Sequence, residues 1–290
     1  MRSRDRTIAD LSDSKTASLH NCIDAESHNK NLHMRRIVFT NDKGGVGKTT
    51  TVANLAVGLA AKGIKTLVLD MDPQADATFA LLAQRPPEAS QGYIPPSAYS
   101  LLTEHYSLSQ VILETPRYRN LFIVPANADL ADAALKIYRR PTRLRRLLQD
   151  LPSDAFDLVL IDTGKGLDPL AVNALAAADE VIVMVTPGRL ELDAIARMHE
   201  HVALVREEVL LQADFPVVRG ILLTQADPYT VTRDTLNRLQ SLYPGLVLHT
   251  IIPKNNDLQK AIGRARSIFE VAPGSKGSLA YTQLIEELGL

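Results

Sequence analysis

Residues 43–50 read Lys-Gly-Gly-Val-Gly-Lys-Thr-Thr, directly after the short apolar run Ile37-Val38-Phe39-Thr40. A strand, a glycine loop and then a helix opening at Thr49 and Thr50 is an order that cradles phosphate. Gly44, Gly45 and Gly47, with Val46 among them, let backbone N–H groups close on phosphate oxygens, and the helix N-terminus adds partial positive charge. Lys48 can reach β- and γ-phosphates, and the Thr49 hydroxyl can ligate Mg²⁺. The usual pattern G-x-x-x-x-G-K-[ST] asks for glycine where this chain has Asp42, and the loop starts with a second lysine, Lys43. The expectation is a variant P-loop.

Two acidic segments could complete the chemistry. Asp70-Met71-Asp72-Pro73-Gln74 ends the second apolar run, and carboxylates at i and i+2 of an extended chain point the same way. One can hold the Mg²⁺ shell while the other orients a water for in-line attack. Taken alone, the segment reads more readily as a solvated acidic turn with a proline. The run Leu158-Val159-Leu160-Ile161 leads into Asp162-Thr163-Gly164, an apolar strand ending in aspartate, the Walker B pattern that sets Asp162 near Mg²⁺. Phosphoryl transfer needs mainly positioning and charge neutralisation, which Lys48, Thr49, Asp72 and Asp162 could supply.

The positioning elements are legible as apolar runs at 37–40, 66–69, 121–124, 158–161, 181–185, 217–223 and 246–252. They are short, apolar on both faces and rich in Val, Ile and Leu, as buried parallel strands are. Helical patterns at 49–62, 128–137, 142–149, 169–178, 192–209, 231–242 and 276–288 separate them. The alternation predicts a doubly wound, mostly parallel α/β sheet with helices on both faces, binding ligands beyond the strands' carboxyl ends. The proline-dense segment 85–100 reads as a surface loop. Residues 1–33 are polar and aperiodic and are expected to form a disordered tail before a single domain over 34–290, with Met34 a candidate start.

With 290 residues, 46% hydrophobic, the chain can bury a large core, and its net charge of −1 gives no bulk signal for nucleic acid or anionic membrane. No apolar run spans a bilayer and no secretory signal is seen. The single Cys22 excludes an intrachain disulfide and a multi-cysteine metal or iron–sulfur site within the chain. A cytoplasmic protein is expected, nucleoid-associated if it binds DNA.

From about Met34 onward the chain resembles the ParA/MinD family of deviant Walker A P-loop ATPases, and is similar to the small ParA/Soj-type partition ATPases. The likeness runs through the loop, Asp70-Met71-Asp72-Pro73-Gln74, Ala77-Thr78, Val124-Pro125-Ala126-Asn127 with Leu130, Asp162-Thr163, Val172-Asn173-Ala174-Leu175, Arg219–Thr224, Ile252-Pro253-Lys254-Asn255 and Ser275-Lys276-Gly277. It implies a SIMIBI-type P-loop NTPase fold with ATP and Mg²⁺ as cofactors. Lys43 would be the signature lysine, crossing a nucleotide-sandwich homodimer to the partner's phosphates. Asp72 would position the attacking water, Asp70 would support the Mg²⁺ shell, and adenine would lie near Thr224–Asp227 and Ile252-Pro253, with Thr224 and Pro253 as its named contacts. A ParB-like adaptor, non-specific double-stranded DNA and no membrane are the implied partners.

Departures from the family qualify the DNA expectation. Tyr229 and Asp257 stand where many relatives carry DNA-binding arginines, and Lys254 replaces a third. Lys254, Lys260, Arg264, Arg266 and Lys276 could compensate, as could the run Lys136, Arg139, Arg140, Arg143, Arg145 and Arg146, which otherwise reads as a solvated helix face. Gly164-Lys165-Gly166 replaces the usual pair of prolines, leaving Lys165 either a solvated loop residue or a phosphate contact. The leading expectation is an ATP-dependent dimerising ATPase that positions plasmid, chromosome or other cargo. The alternative is an ATP-switched scaffold that does not use DNA. A MinD-like membrane regulator is disfavoured by the acidic last helix, and an iron–sulfur enzyme by the lack of cysteines.

Overall fold

The computed structural model describes residues 34–290 except 91–92, 105, 189–190 and 228–229. The expected tail, Cys22 and Tyr229 lie outside the described residues. The chain alternates β1 (Arg35–Thr40), α1 (Lys48–Ala61), β2 (Thr66–Met71), α2 (Asp76–Leu82), α3 (Ala98–Thr103), α4 (Leu108–Val111), β3 (Leu113–Glu114) and β4 (Leu121–Val124). It continues through α5 (Leu130–Ile137), α6 (Arg143–Gln149), β5 (Leu158–Thr163), α7 (Pro169–Ala177), β6 (Glu180–Val185) and α8 (Glu191–Leu204). Last come β7 (Val217–Ala226), α9 (Thr230–Leu242), β8 (Val247–Pro253), α10 (Asn256–Gly263), α11 (Ile268–Val271) and α12 (Lys276–Glu287).

The strands form one sheet in the order β3-β4-β2-β5-β1-β6-β7-β8. Every pairing is parallel except that of the two-residue β3 with β4. Alternating side chains feed two apolar layers. Val38, Leu67, Val159 and Val183 pack with Leu130 of α5, Leu144 of α6, Leu170 of α7 and Ile195 of α8. Ile37, Phe39, Val68 and Leu160 pack with α1 and with Tyr281, Leu284 and Ile285 of α12 on the other face. Burial on both faces is why these strands lack a polar side. The parallel register brings the carboxyl ends of β1, β2, β5, β7 and β8 to one rim, where Asp70 of β2 lies level with Asp162 of β5.

Two expectations change. The segment 85–100 stays on the surface only in its first part, where Arg85, Pro87, Glu88 and Tyr93 are exposed: Ser97 and Ser100 are buried and cap each other reciprocally at the start of α3. Its proline density masked a helix of only six residues. The long pattern at 192–209 divides into α8 and a π-helical turn over Val205–Val209. No described helix is long and apolar enough to cross a membrane.

Candidate active site

The loop between β1 and α1 is held from several sides. Asn41, fully buried, donates from Nδ2 to the Met184 carbonyl of β6, and its Oδ1 accepts from the Lys43 amide at 2.9 Å. The Thr224 hydroxyl lies 2.7 Å from the Val46 carbonyl and 3.0 Å from that of Val185. Gln225 Nε2 donates to the Gly45 carbonyl. Gly45 and Gly47 have φ of 74° and 87°, a region that side chains with a Cβ rarely enter. Asp42 accepts from Arg197 Nε at 2.9 Å and lies 3.5 Å from His201 Nδ1, tying the loop's first turn to α8.

Lys48 curls over the loop, and its Nζ donates to the carbonyls of Lys43 at 3.1 Å and Asn41 at 3.4 Å. Burial lowers its pKa, while Asp162, Asp72 and Asp42 act in the opposite direction. Thr49 donates from Oγ1 to Asp162 Oδ2 at 2.7 Å. Asp162 Oδ1 is buried with no hydrogen-bond partner. Burial first, then the Asp70 charge, pushes the Asp162 pKa well above the usual carboxylate range. Asp70 has both oxygens engaged: Oδ2 accepts from the Thr78 amide at 2.8 Å and its hydroxyl at 2.6 Å, and Oδ1 accepts from the Asp72 amide at 3.1 Å. Burial raises its pKa to about 6.

An unpartnered buried carboxylate oxygen, beside a threonine hydroxyl and in front of a second carboxylate, is a position short of positive charge. A divalent cation fits it. No group of three or more His, Cys, Asp or Glu among the described residues could hold a metal unaided. Mg²⁺ meets that condition, because it takes much of its shell from phosphate and water.

Asp72 accepts from the Gln74 amide at 2.9 Å and lines the same cavity as Lys48 and Thr49. Gly164 faces it, since a Cβ there would lie 3.6 Å from the Asp72 carboxylate. Exposed Lys165 lines the cavity next to them. The cavity holds about 890 Å³ and joins residues 44–51 to an apolar wall of Ile252, Pro253, Leu258 and Tyr281, with Thr224 alongside. That volume and mixed lining suit a nucleotide. Lys43 lines an adjoining pocket of about 460 Å³, with Thr186, Pro187, Asp227 and Lys254, that shares Gly44, Gly45 and Val46 with the cavity.

The fold thus brings Gly44–Thr50, Asp70, Asp72, Asp162, Thr224 and Pro253 to one rim. Of the C-terminal basic candidates, Lys260 pairs with Asp257 at 3.1 Å and Arg266 with Glu270 at 2.9 Å. Lys254 lines both cavities, and Arg264 and Lys276 are exposed. Asn41 and Tyr281 carry roles that the sequence reading did not assign; Thr78 lay within the resemblance and Gln225 within the expected adenine segment, but neither with the hydrogen bond it makes. Only Asn41 carried a local signal, a short amide side chain between strand and glycine loop.

A phosphate loop after the central strand β1, with strand-end carboxylates on β5 beside it and on β2 beyond, defines a P-loop nucleoside triphosphatase. The AAA domain family model matches residues 34–215. The chain is 36% identical over 258 residues to the chromosome-partitioning ATPase Soj of Thermus thermophilus, covering 88% of this chain and 95% of that protein. It is 31% identical to the sporulation initiation inhibitor protein Soj of Bacillus subtilis, covering 87% and 97%. Among solved structures, cobyrinic acid a,c-diamide synthase from Mycobacterium smegmatis with bound ADP and magnesium aligns with a TM-score of 0.71 at 29% identity, covering 88% of this chain and 94% of that one. The chain belongs to the ParA/MinD family of P-loop ATPases: it is a ParA-type ATPase that uses ATP and Mg²⁺.

Proposed function

We propose that this ATPase positions cargo by closing as a homodimer around ATP, holding DNA as its matrix in that state and releasing it after hydrolysis stimulated by a ParB-like adaptor. The observation that carries the dimer is the division between the two lysines. Lys48 lies over its own loop within the nucleotide cavity, whereas Lys43 lines an adjoining pocket that shares Gly44, Gly45 and Val46 with that cavity and does not include Lys48. A lysine so placed serves a neighbouring subunit's phosphates better than its own, and a cation inserted from a second subunit is a known way to neutralise transition-state charge. The partition ATPases among the relatives support the same reading.

In this mechanism the loop amides and Lys48 bind the phosphates. Thr49 and Asp162 would hold Mg²⁺, which when bound neutralises charge on the β- and γ-phosphates. Asp72 orients the attacking water. Asp70 stands behind, orienting the Asp72 amide and adding negative charge beside Asp162. Pro253 and Tyr281 form the wall for the base. The paired state of Lys260 and Arg266 favours the second reading, a scaffold that works without DNA.

Light scattering after size exclusion tests the dimer. Asp72→Ala with ATP should run as a dimer and with ADP as a monomer, and adding Lys43→Ala should lower dimer formation or turnover while nucleotide still binds. Wild-type turnover in Lys43→Ala would overturn the cross-subunit role.

A further inference from the structure

Between Asp132 and Asp150 the chain carries six basic residues and no carboxylate. Folding divides the six. Arg143 turns inward, donating from Nη2 to the carbonyls of Leu101 at 3.2 Å and Glu104 at 2.8 Å. Arg145 donates to the Ala176 carbonyl at 3.1 Å and lies 4.0 Å from the Phe215 ring centroid. These two fasten α6 to its neighbours. Arg139, Arg140 and Arg146 stay exposed, beside Lys136, whose Nζ reaches the Tyr99 hydroxyl at 2.6 Å. Among the described residues none of the four forms an ion pair with a carboxylate. Tyr138 is 74% exposed and Leu135 84% exposed on the same short stretch.

We propose that this elbow between α5 and α6 is the surface that takes the phosphate backbone of duplex DNA. The inference rests on the DNA-matrix reading and supplies the footprint for it. Unneutralised guanidinium groups match phosphate oxygens in geometry and charge. An exposed tyrosine among them offers a flat face and a hydroxyl to sugar or phosphate. Of the C-terminal basic residues, Lys260 and Arg266 already face carboxylates of their own segment, and the exposed Lys254, Arg264 and Lys276 are spread over 23 positions where the elbow sets its four within 11. Position also favours the elbow. Ala131, in the first turn of α5, lines the nucleotide cavity, and the helix ends at Ile137, roughly 9 Å along at the helical rise and two residues before Arg139. One short helix therefore connects the nucleotide's wall to the basic surface, so nucleotide state can change how that surface is presented.

The test is binding of a random-sequence, fluorescently labelled duplex to the full chain with ATP, titrated with KCl. Arg139→Ala/Arg140→Ala/Arg146→Ala removes three phosphate contacts. It should lower the slope of log affinity against log salt by about 2.7 and weaken low-salt binding about 100-fold or more. ATP hydrolysis without DNA and the melting temperature should stay near wild type, and the triple lysine variant should keep most of the binding. Wild-type affinity and slope in the triple alanine variant would overturn the proposal, as would loss of DNA binding only in Lys260→Ala/Arg264→Ala. If the wild type itself ignores DNA with ATP, the matrix reading falls and this surface falls with it.

Discussion

Thr78 is the perturbation that tests the acidic centre most directly. Its buried hydroxyl donates to Asp70 Oδ2 at 2.6 Å and accepts from the Ala126 amide at 2.8 Å. Thr78→Val keeps the shape and deletes both bonds. Losing a hydrogen bond to a charged acceptor costs roughly 1.5–3 kcal/mol, and leaving a buried amide unpaired costs roughly 1–3 kcal/mol more. The expected loss is about 2.5–6 kcal/mol, or roughly 5–20 °C in melting temperature for a domain of this size. The pH dependence carries a sign. The Asp70 carboxyl is raised on folding from 3.8 to about 6, so its stabilising contribution is full below 3.8 and is lost as pH climbs through about 6. Thr78 favours the ionised form, so removing its hydroxyl moves that loss further and to higher pH. The deficit of Thr78→Val, measured by urea denaturation of the nucleotide-free protein in EDTA, should be larger at pH 8 than at pH 5. Thr78→Ser, which keeps the hydroxyl, should recover most of the loss. Equal deficits at the two pH values would show that the hydroxyl does not support an ionised Asp70, and a total below about 0.5 kcal/mol would remove the Ala126 bond from the account as well.

Three further outcomes follow from the same geometry. Asp162→Asn relieves a buried carboxylate, so the metal-free protein should gain roughly 1–3 kcal/mol at neutral pH while Mg²⁺–ATP binding, read by calorimetry, falls at least about tenfold; unchanged Mg²⁺–ATP affinity would exclude Asp162 from the metal's surroundings. Gly220→Ala places a Cβ 2.8 Å from Leu248 Cδ2 and 2.9 Å from its Cγ, and should cost about 1–3 kcal/mol in urea denaturation; wild-type stability would mean that Leu248 turns aside freely. Lys165→Ala should weaken ATP several-fold and ADP less than about twofold in equilibrium binding, because the residue lines the cavity beside Asp72; equal losses for both nucleotides would move it away from the γ-phosphate.

What was legible in the sequence was what the chain encodes locally. Gly45 and Gly47 announce positive φ wherever the loop sits, and β1, β5 and β6 show as apolar runs because both their faces are buried. The supports of the site were hidden because they join distant segments. Asn41 and its acceptor Met184 are 143 residues apart, and Gln225 reaches the Gly45 carbonyl across 180. Thr78 meets Asp70 after a left-handed turn at Ala75, φ 54°, a conformation that no glycine advertised. Asp70 is the instructive case. The two strand-end acids alone left their roles open, and the family resemblance gave Asp70 the support of the Mg²⁺ shell; folded, both its oxygens accept from Thr78 and the Asp72 amide, and it lies level with Asp162 on the adjoining strand. Its influence then comes through two routes that spacing does not reveal. It orients the turn that carries Asp72, and its charge raises the pKa of Asp162, so the position beside Thr49 calls for a cation before any ligand arrives.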